Sequence, residues 1–462
     1  MMDYDMNERS KPHAWRAFLV LILFKIVLDH ALVTTWNQYS AAMADVADPK
    51  RAVISWVAYI VTVLLISVLV VRRNDLIALV YCFLFVLNGC GFFSVYPVKE
   101  AMTDAGFFTV LAFWTVFTLA IGLLPKNSQS LKPLGISEDR VYGVEYVLFV
   151  VSAILTVIYS GIYADFRIFI SFEDVYDYRF EFLERSLPTF VSYTMRWISG
   201  AILPYFFIRF LLCKKYLFAG ASLFLGLMMY GIDGLKTTLL LYVVCIYFYW
   251  RVSSFKKKGK SYLCLFYEFL VLLSIGILVC LAIYDSTESN FFNPELFRVF
   301  IIPSSIADNY YNFICDKEAL LLRESIMRAF FDSPYDESIN YLVTNQISAN
   351  GNRAIANTGL YGDAFANFKY FGVIVYPIIY AVILRLWQWF NRGETNAFSL
   401  ALAFIMVWNA INISFFTWLL TGGVLLFFAL AFIKNRVWKI SEEEGELDIE
   451  TGELDVGTSD VE

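Results

Sequence analysis

Asn350-Gly-Asn-Arg353-Ala-Ile-Ala-Asn357-Thr-Gly359-Leu-Tyr361-Gly-Asp363 closes a long stretch, about 285–368, in which this chain has no apolar run of membrane-spanning length. Runs of that length lie on both sides of it. The stretch itself is rich in Asn, Asp, Arg and Tyr. A connector of that length without structure is uncommon in a compact protein, so it is expected to form a lid or a site.

The apolar runs set the fold class. Of 462 residues, 59% are hydrophobic, with 44 Phe, 29 Tyr and a mean hydropathy of +0.61. A water-soluble fold has no way to bury that much apolar surface, which points to an all-α polytopic integral membrane protein. Spans are predicted near 15–34, 52–71, 76–95, 104–124, 141–163, 190–212, 216–232, 236–250, 263–284, 369–388, 397–415 and 418–434, about twelve in all. The first run keeps Lys25, Asp29 and His30 and shows no small-residue cleavage site, so it is expected to be a retained span.

Loop charge then orients the chain. With the N-terminus inside, the inner segments carry Arg72 and Arg73, Lys126, Lys132 and Arg140, Lys214 and Lys215, and Arg251 with Lys256–Lys258 and Lys260. The short loops on the other side carry only Lys50, Arg51, Lys99 and Lys236. By the positive-inside rule both termini are expected in the cytoplasm, and both longer loops, about 164–189 and 285–368, outside it. The organisation predicted is a membrane domain over 1–284 that includes the loop 164–189, a periplasmic loop over 285–368, a membrane domain over 369–440, and a tail over 441–462. The tail holds ten acidic and no basic residues, which marks it as a disordered, solvated segment.

Metal and redox chemistry find little purchase. The two histidines, His13 and His30, lie near the N-terminus, and the seven cysteines are scattered without a CxxC spacing. No metal site and no cofactor is expected, and no P-loop, GxSxG elbow or HExxH is present. Nothing marks the chain as a nucleic-acid binder.

The outer-facing loops carry the remaining chemistry. The first holds Glu173-Asp-Val-Tyr-Asp-Tyr178-Arg179-Phe-Glu181-Phe-Leu-Glu-Arg185, in which charges alternate with aromatics. On a helix this is either an amphipathic headgroup-layer segment with internal ion pairs, or a face on which Arg179 or Arg185 meets an anion beside a carboxylate base. Arg196 sits inside a span, where a cation costs about 2.5–3.5 kcal/mol unless it finds a polar partner or snorkels to the headgroups. Lys236 opens a span after Gly231-Ile-Asp-Gly-Leu. Arg179, Arg196, Lys236 and Arg353 all fall at the same interface by this topology. Converging, they would make a cationic pocket suited to lipid-linked phosphates. In Asn357-Thr-Gly359-Leu-Tyr361-Gly-Asp363-Ala-Phe-Ala-Asn367-Phe368, a helix beginning near Leu360 puts Asp363 and Asn367 on one face and Tyr361, Phe365, Phe368 and Gly372 on another. That describes either a re-entrant element with chemistry or a packing elbow into the next span.

At these residues the chain resembles the Wzy-type polymerases of bacterial O-antigen and related oligosaccharide repeat units. The likeness rests on the span layout with a large late loop, on Gly234-Leu-Lys236-Thr-Thr-Leu-Leu at the entry to a span, and on Asn357-x-Gly359…Asp363…Asn367-Phe368…Gly372-Val-Ile ahead of the antepenultimate span. Lys369 departs from it, since the family often has glycine there. The resemblance implies a GT-C-like, metal-independent glycosyltransferase in the bacterial inner membrane. Its donor and acceptor would both be undecaprenyl-pyrophosphate-linked oligosaccharides, and a chain-length regulator of the Wzz type is a candidate partner. Arg179 and Arg353 match the family's functional arginines. Arg196 and Lys236 join them as phosphate ligands, Asp363 or Glu181 serves as base, and Asn357, Asn367, Tyr178 and Tyr361 are candidate substrate contacts. The alternatives are an O-antigen ligase, which typically uses a loop histidine, and a lipid-linked oligosaccharide flippase or transporter.

Overall fold

The computed structural model describes residues 14–39, 43–44, 46–125, 138–168, 187–257, 261–287, 293–344, 359–391 and 395–433, together with Ile170, Val175, Tyr178, Phe182, Arg185 and Ala356. Arg179, Glu181, Arg353, Asn357 and the acidic tail lie outside the described residues. The chain is an all-α polytopic membrane protein, with helices and no β-strand among the described residues. Eleven of these helices are long and apolar enough to cross a membrane.

The predicted runs meet these helices closely, and the departures have local causes. The run expected over 397–415 folds as Ala397–Asn412, a 16-residue helix, shorter than a typical span. It starts with a capping box between Asn396 and Ser399. It stops because Ile413 turns extended and Ser414 opens the next helix, Phe415–Leu420. The run expected to begin at 369 begins instead at Tyr361, within a helix that continues to Phe390 and is broken at Lys369. The other starts follow ordinary capping. Asp48 precedes Pro49 and accepts from Lys50 and Arg51, Asp75 accepts from Ala78, and Thr103 accepts from Gly106.

The chain forms two compact units, each assembled from separated stretches. One holds 1–126, 247–385 and 395–422. Its centre is Leu76–Val95, which is 94% buried, whereas Leu263–Ile283 is 28% buried and leaves most of its surface to lipid. Phe83 on the central helix meets Phe269, Phe404 and Phe266 edge to face at 5.0, 5.5 and 5.8 Å. Lys25 is buried and pairs with Asp29 one turn on at 2.9 Å, over the ring of Trp56, so this intramembrane cation does not stand alone.

The other unit holds 127–246, 386–394 and 423–462. Here Tyr216–Asp233 packs closely on its neighbours. Ser222 Oγ donates to the Leu203 carbonyl at 2.8 Å, and the Tyr242 hydroxyl donates to the Ser222 carbonyl at 3.1 Å. Small residues and inter-helix hydrogen bonds are how spans associate where lipid supplies no hydrophobic drive. Near the ends of their helices Arg209 and Glu145 form a buried ion pair at 3.6 Å.

Candidate functional site

In the first unit the site grows from the break at Lys369. Its φ of 48° and ψ of −133° are non-helical and lie where a side chain is strained. The helix is thereby divided into a short piece, 361–368, and a membrane-length piece, 370–390. Glycine suits such a position better than lysine. The lysine side chain turns its Nζ to the Cys315 carbonyl at 3.2 Å.

The short piece has the two faces expected of it. Asn367 Nδ2 donates to Asp363 Oδ1 at 3.0 Å, and Tyr361 stacks on Phe365 at 5.6 Å. Asp363 Oδ2 accepts the backbone N–H of Phe415 at 2.9 Å, the first residue of a helix whose cap residue, Ser414, bonds the Thr417 hydroxyl and leaves the backbone N–H groups uncapped by its side chain. The carboxylate therefore satisfies a buried helix N-terminus. Asn367 Oδ1 accepts from Leu322 N at 2.8 Å, while Leu320 N and Leu321 N donate to the carbonyls of Ala366 and Asn367. Asp363 and Asn367 thus tie three segments together, and both are buried. A Cβ on Gly359 would sit 2.1 Å from the Ile411 carbonyl oxygen, and one on Gly372 would sit 2.0 Å from that of Ala364. Backbone approach that close requires glycine.

Behind this elbow lies a group that the sequence pattern does not reveal. Lys99, which reads in the sequence only as a loop charge, is buried and pairs with Asp308 at 2.9 Å. Its Nζ also donates to Asn309 Oδ1 at 2.7 Å and the Ser305 carbonyl at 3.0 Å. Burial pushes the Asp308 carboxyl above its ordinary value, against the opposing pull of Lys99. Asp308 Oδ1 and the Tyr361 hydroxyl are both buried with no hydrogen-bond partner among the described residues. Helix Ile302–Ile314 carries Asp308 and also Tyr310, whose hydroxyl donates to Asn340 Oδ1 at 2.9 Å and whose ring lies against Gly362. Helix Ile302–Ile314 of the long loop is therefore packed on the elbow.

In the second unit the described residues of the first long loop lie against the turn before Lys236. Ile170, Val175 and Tyr230 form a buried cluster, with Tyr178 and Leu239 packed against it. Arg167 lays its guanidinium 3.8 Å from the centre of the Tyr178 ring and donates to the Gly231 carbonyl at 3.3 Å. A Cβ on Gly231 would meet the Arg167 carbonyl oxygen at 1.8 Å, so glycine is required there too. Asp233 Oδ1 accepts from Leu235 N at 2.9 Å, and Gly234 at φ 64° reverses the chain into Lys236. The structure thus brings Tyr178 to the turn that leads into Lys236. Arg196, by contrast, is exposed on its helix, and Arg185 donates to the Tyr163 carbonyl at 2.8 Å. Arg167 is the residue of this unit that sequence reasoning missed.

Among the described residues no cluster of His, Cys, Asp and Glu has the makings of a metal site. Asp363, Asn367 and Tyr361 belong to one unit, and Tyr178, Arg196 and Lys236 to the other. No family model, curated protein or solved structure matches the chain.

Proposed function

We propose that the chain polymerises lipid-linked oligosaccharide repeat units by glycosyl transfer on the extracytoplasmic face of a bacterial inner membrane. The observation that carries this is the elbow. Of the segment that carries the strongest part of the family likeness, Asn357 to Gly372, the stretch from Tyr361 folds as a broken helix that grips the long loop at the entrance to a span. A polymerase needs such an element, because its acceptor sugar must be held at headgroup height against a lipid-linked donor.

In this reaction the anomeric carbon of the growing chain is attacked by an acceptor hydroxyl, and undecaprenyl pyrophosphate leaves. Fixed cations that meet the developing charge on the diphosphate supply most of the drive. Arg179 and Arg353 are assigned to that office, with Arg196 and Lys236 as further phosphate ligands. Asp363 is assigned to holding the elbow, since each of its oxygens already accepts a protein donor. The proton of the acceptor hydroxyl is then assigned to Glu181. Tyr178 and Tyr361 are assigned to the sugar rings. A Wzz-type co-polymerase is the expected protein partner, and both termini are assigned to the cytoplasm.

Two competing functions are less well supported. An O-antigen ligase calls for a loop histidine, and His13 and His30 both lie outside the loops. A transporter calls for unpaired charge deep in the spans, and Lys25 is paired with Asp29. Deleting the gene in its host and separating the surface polysaccharide on a gel distinguishes them. Loss of a polymerase leaves a single repeat unit on the core. Bare core with accumulated lipid-linked polymer points to a ligase instead.

A further inference from the structure

The stretch 320–331 of the second long loop is built inside out for a water-facing turn. Its backbone is knit by its own hydrogen bonds: Arg323 N to the Leu320 carbonyl, Ser325 N and Met327 N to that of Leu322, and Phe330 N and Phe331 N to that of Met327, all between 2.9 and 3.1 Å. Most of its polar side chains are spent on the protein, Arg328 excepted. Arg323 pairs with Glu318 and donates to the carbonyls of Ala319 and Leu320. Glu324 accepts from Ile339 N at 3.0 Å and Ser338 Oγ at 2.9 Å, which caps the helix Ile339–Thr344. What projects outward is largely apolar: Leu321 is 52% exposed, Ile326 45%, Phe330 77% and Phe331 56%. A cluster of large apolar side chains held out by an ordered backbone marks a surface that something covers.

The position of the stretch says what covers it. Leu320 N and Leu321 N donate to the carbonyls of Ala366 and Asn367, just before the break at Lys369. Beyond the break Tyr370, Phe371, Ile374, Ile378 and Val382 are exposed along one side of a membrane-length apolar helix. Their spacing of about four residues is that of a single helical stripe, and on a span such a stripe meets lipid. The exposed patch of the loop therefore begins where the lipid-facing stripe ends. Arg328 is exposed among the apolar side chains, and a cation beside such a patch suits lipid phosphate.

We propose that 321–331 is a membrane-docking element. It seats Leu321, Ile326, Phe330 and Phe331 in the headgroup and upper acyl region of the leaflet at which the loop emerges, and so fixes the elbow at that depth. The occupant is bilayer lipid, and the surface continues the one that the span already presents.

The test uses the full chain in vesicles of phosphatidylethanolamine and phosphatidylglycerol. The photoreactive residue p-benzoylphenylalanine replaces Phe330 or Phe331 in separate variants. Ile374 serves as a lipid-facing control and Asp336, exposed farther along the loop, as a water-facing one. Irradiation is expected to give lipid adducts at 330, 331 and 374, and few at 336. If 374 labels lipid while 330 and 331 behave like 336, the proposal is overturned. A dimer-sized adduct as the main product at 330 overturns it in favour of a second copy. A variant that does not insert is recognised by loss of the lipid adduct from a second photoreactive residue at 374, and the neighbouring position then decides.

Discussion

The two long loops are fastened to their helices by different physics. The described residues of the first lie over the Gly231–Lys236 turn mainly through apolar packing and the cation–π contact of Arg167 on Tyr178, helped by hydrogen bonds from Arg167 to the Gly231 carbonyl and from the Tyr230 hydroxyl to the Ile170 carbonyl. The second is fastened through buried polar groups: Asp363 to the N-terminus at Phe415, Asn367 to Leu322, and Lys99 to Asp308. Apolar packing tolerates small shifts, because it has no required direction. A buried polar network does not, because each donor left without its acceptor is costly. The described part of the second loop is thus held in one register by directional contacts.

The largest effect should follow from breaking the buried ion pair. Lys99→Met leaves the Asp308 carboxylate uncompensated and is expected to cost about 3–5 kcal/mol, read as a fall in the thermal unfolding midpoint in detergent. Adding Asp308→Leu should recover most of the loss. If the single variant is as stable as the parent, the polar fastening contributes little and the contrast between the loops collapses. The same pair sets a pH dependence. The folded chain holds the Asp308 proton in a range where the unfolded chain, with an ordinary value of 3.8, has lost it. Stability should therefore fall as pH rises from 3.8 into that raised range, and Asp308→Asn should flatten the slope.

Asp363→Ala comes next. It strips the partner from Phe415 N–H and is expected to cost about 1–3 kcal/mol of stability. Residual activity should track the folded fraction. Lost activity at full stability would instead make Asp363 a chemical group, and the elbow would then be more than a fastening. Arg167→Ala in the first loop should cost less, about 0.5–2 kcal/mol, with Arg167→Lys between it and the parent. A larger loss there than at Asp363 would reverse the contrast. The smallest effect is a gain: Lys369→Gly relieves the strained φ and gives up one hydrogen bond, for a net rise of roughly 1 kcal/mol. A lower unfolding midpoint for this variant would show that the Nζ contact to Cys315 outweighs the strain.

These variants also mark where sequence stops being readable. The spans were legible because about twenty consecutive apolar residues suit little besides a membrane-crossing helix. The Asp363–Asn367 face was legible because a spacing of four on a helix sets side chains side by side. The partner of Asp363 was not, because it is a backbone N–H, which every residue but proline carries. Lys99 and Asp308 stand far apart in the chain with no periodicity to link them, so only the packing of helix Ile302–Ile314 shows the pair. Arg167 follows directly on a span end and looks like an interfacial anchor until Tyr178 is seen beneath it. The membrane-docking patch was hidden for a related reason. Leu321, Ile326, Phe330 and Phe331 make no regular pattern along the chain, and only the folded backbone turns them all outward.

The most direct measurement is polymer formation by the purified chain in vesicles supplied with an undecaprenyl-pyrophosphate-linked repeat unit, with EDTA present throughout. A ladder of products is expected from the parent. Arg353→Ala should abolish it at matched protein level and unchanged unfolding midpoint, a loss on the order of 2.7–4 kcal/mol in the transition state. Arg353→Lys should restore only part, because an ammonium lacks the two-pronged fork that grips a diphosphate. A parent chain that is folded and inserted yet leaves the repeat unit unjoined would contradict the polymerase assignment. A ladder unchanged in Arg353→Ala would remove the arginine from the site.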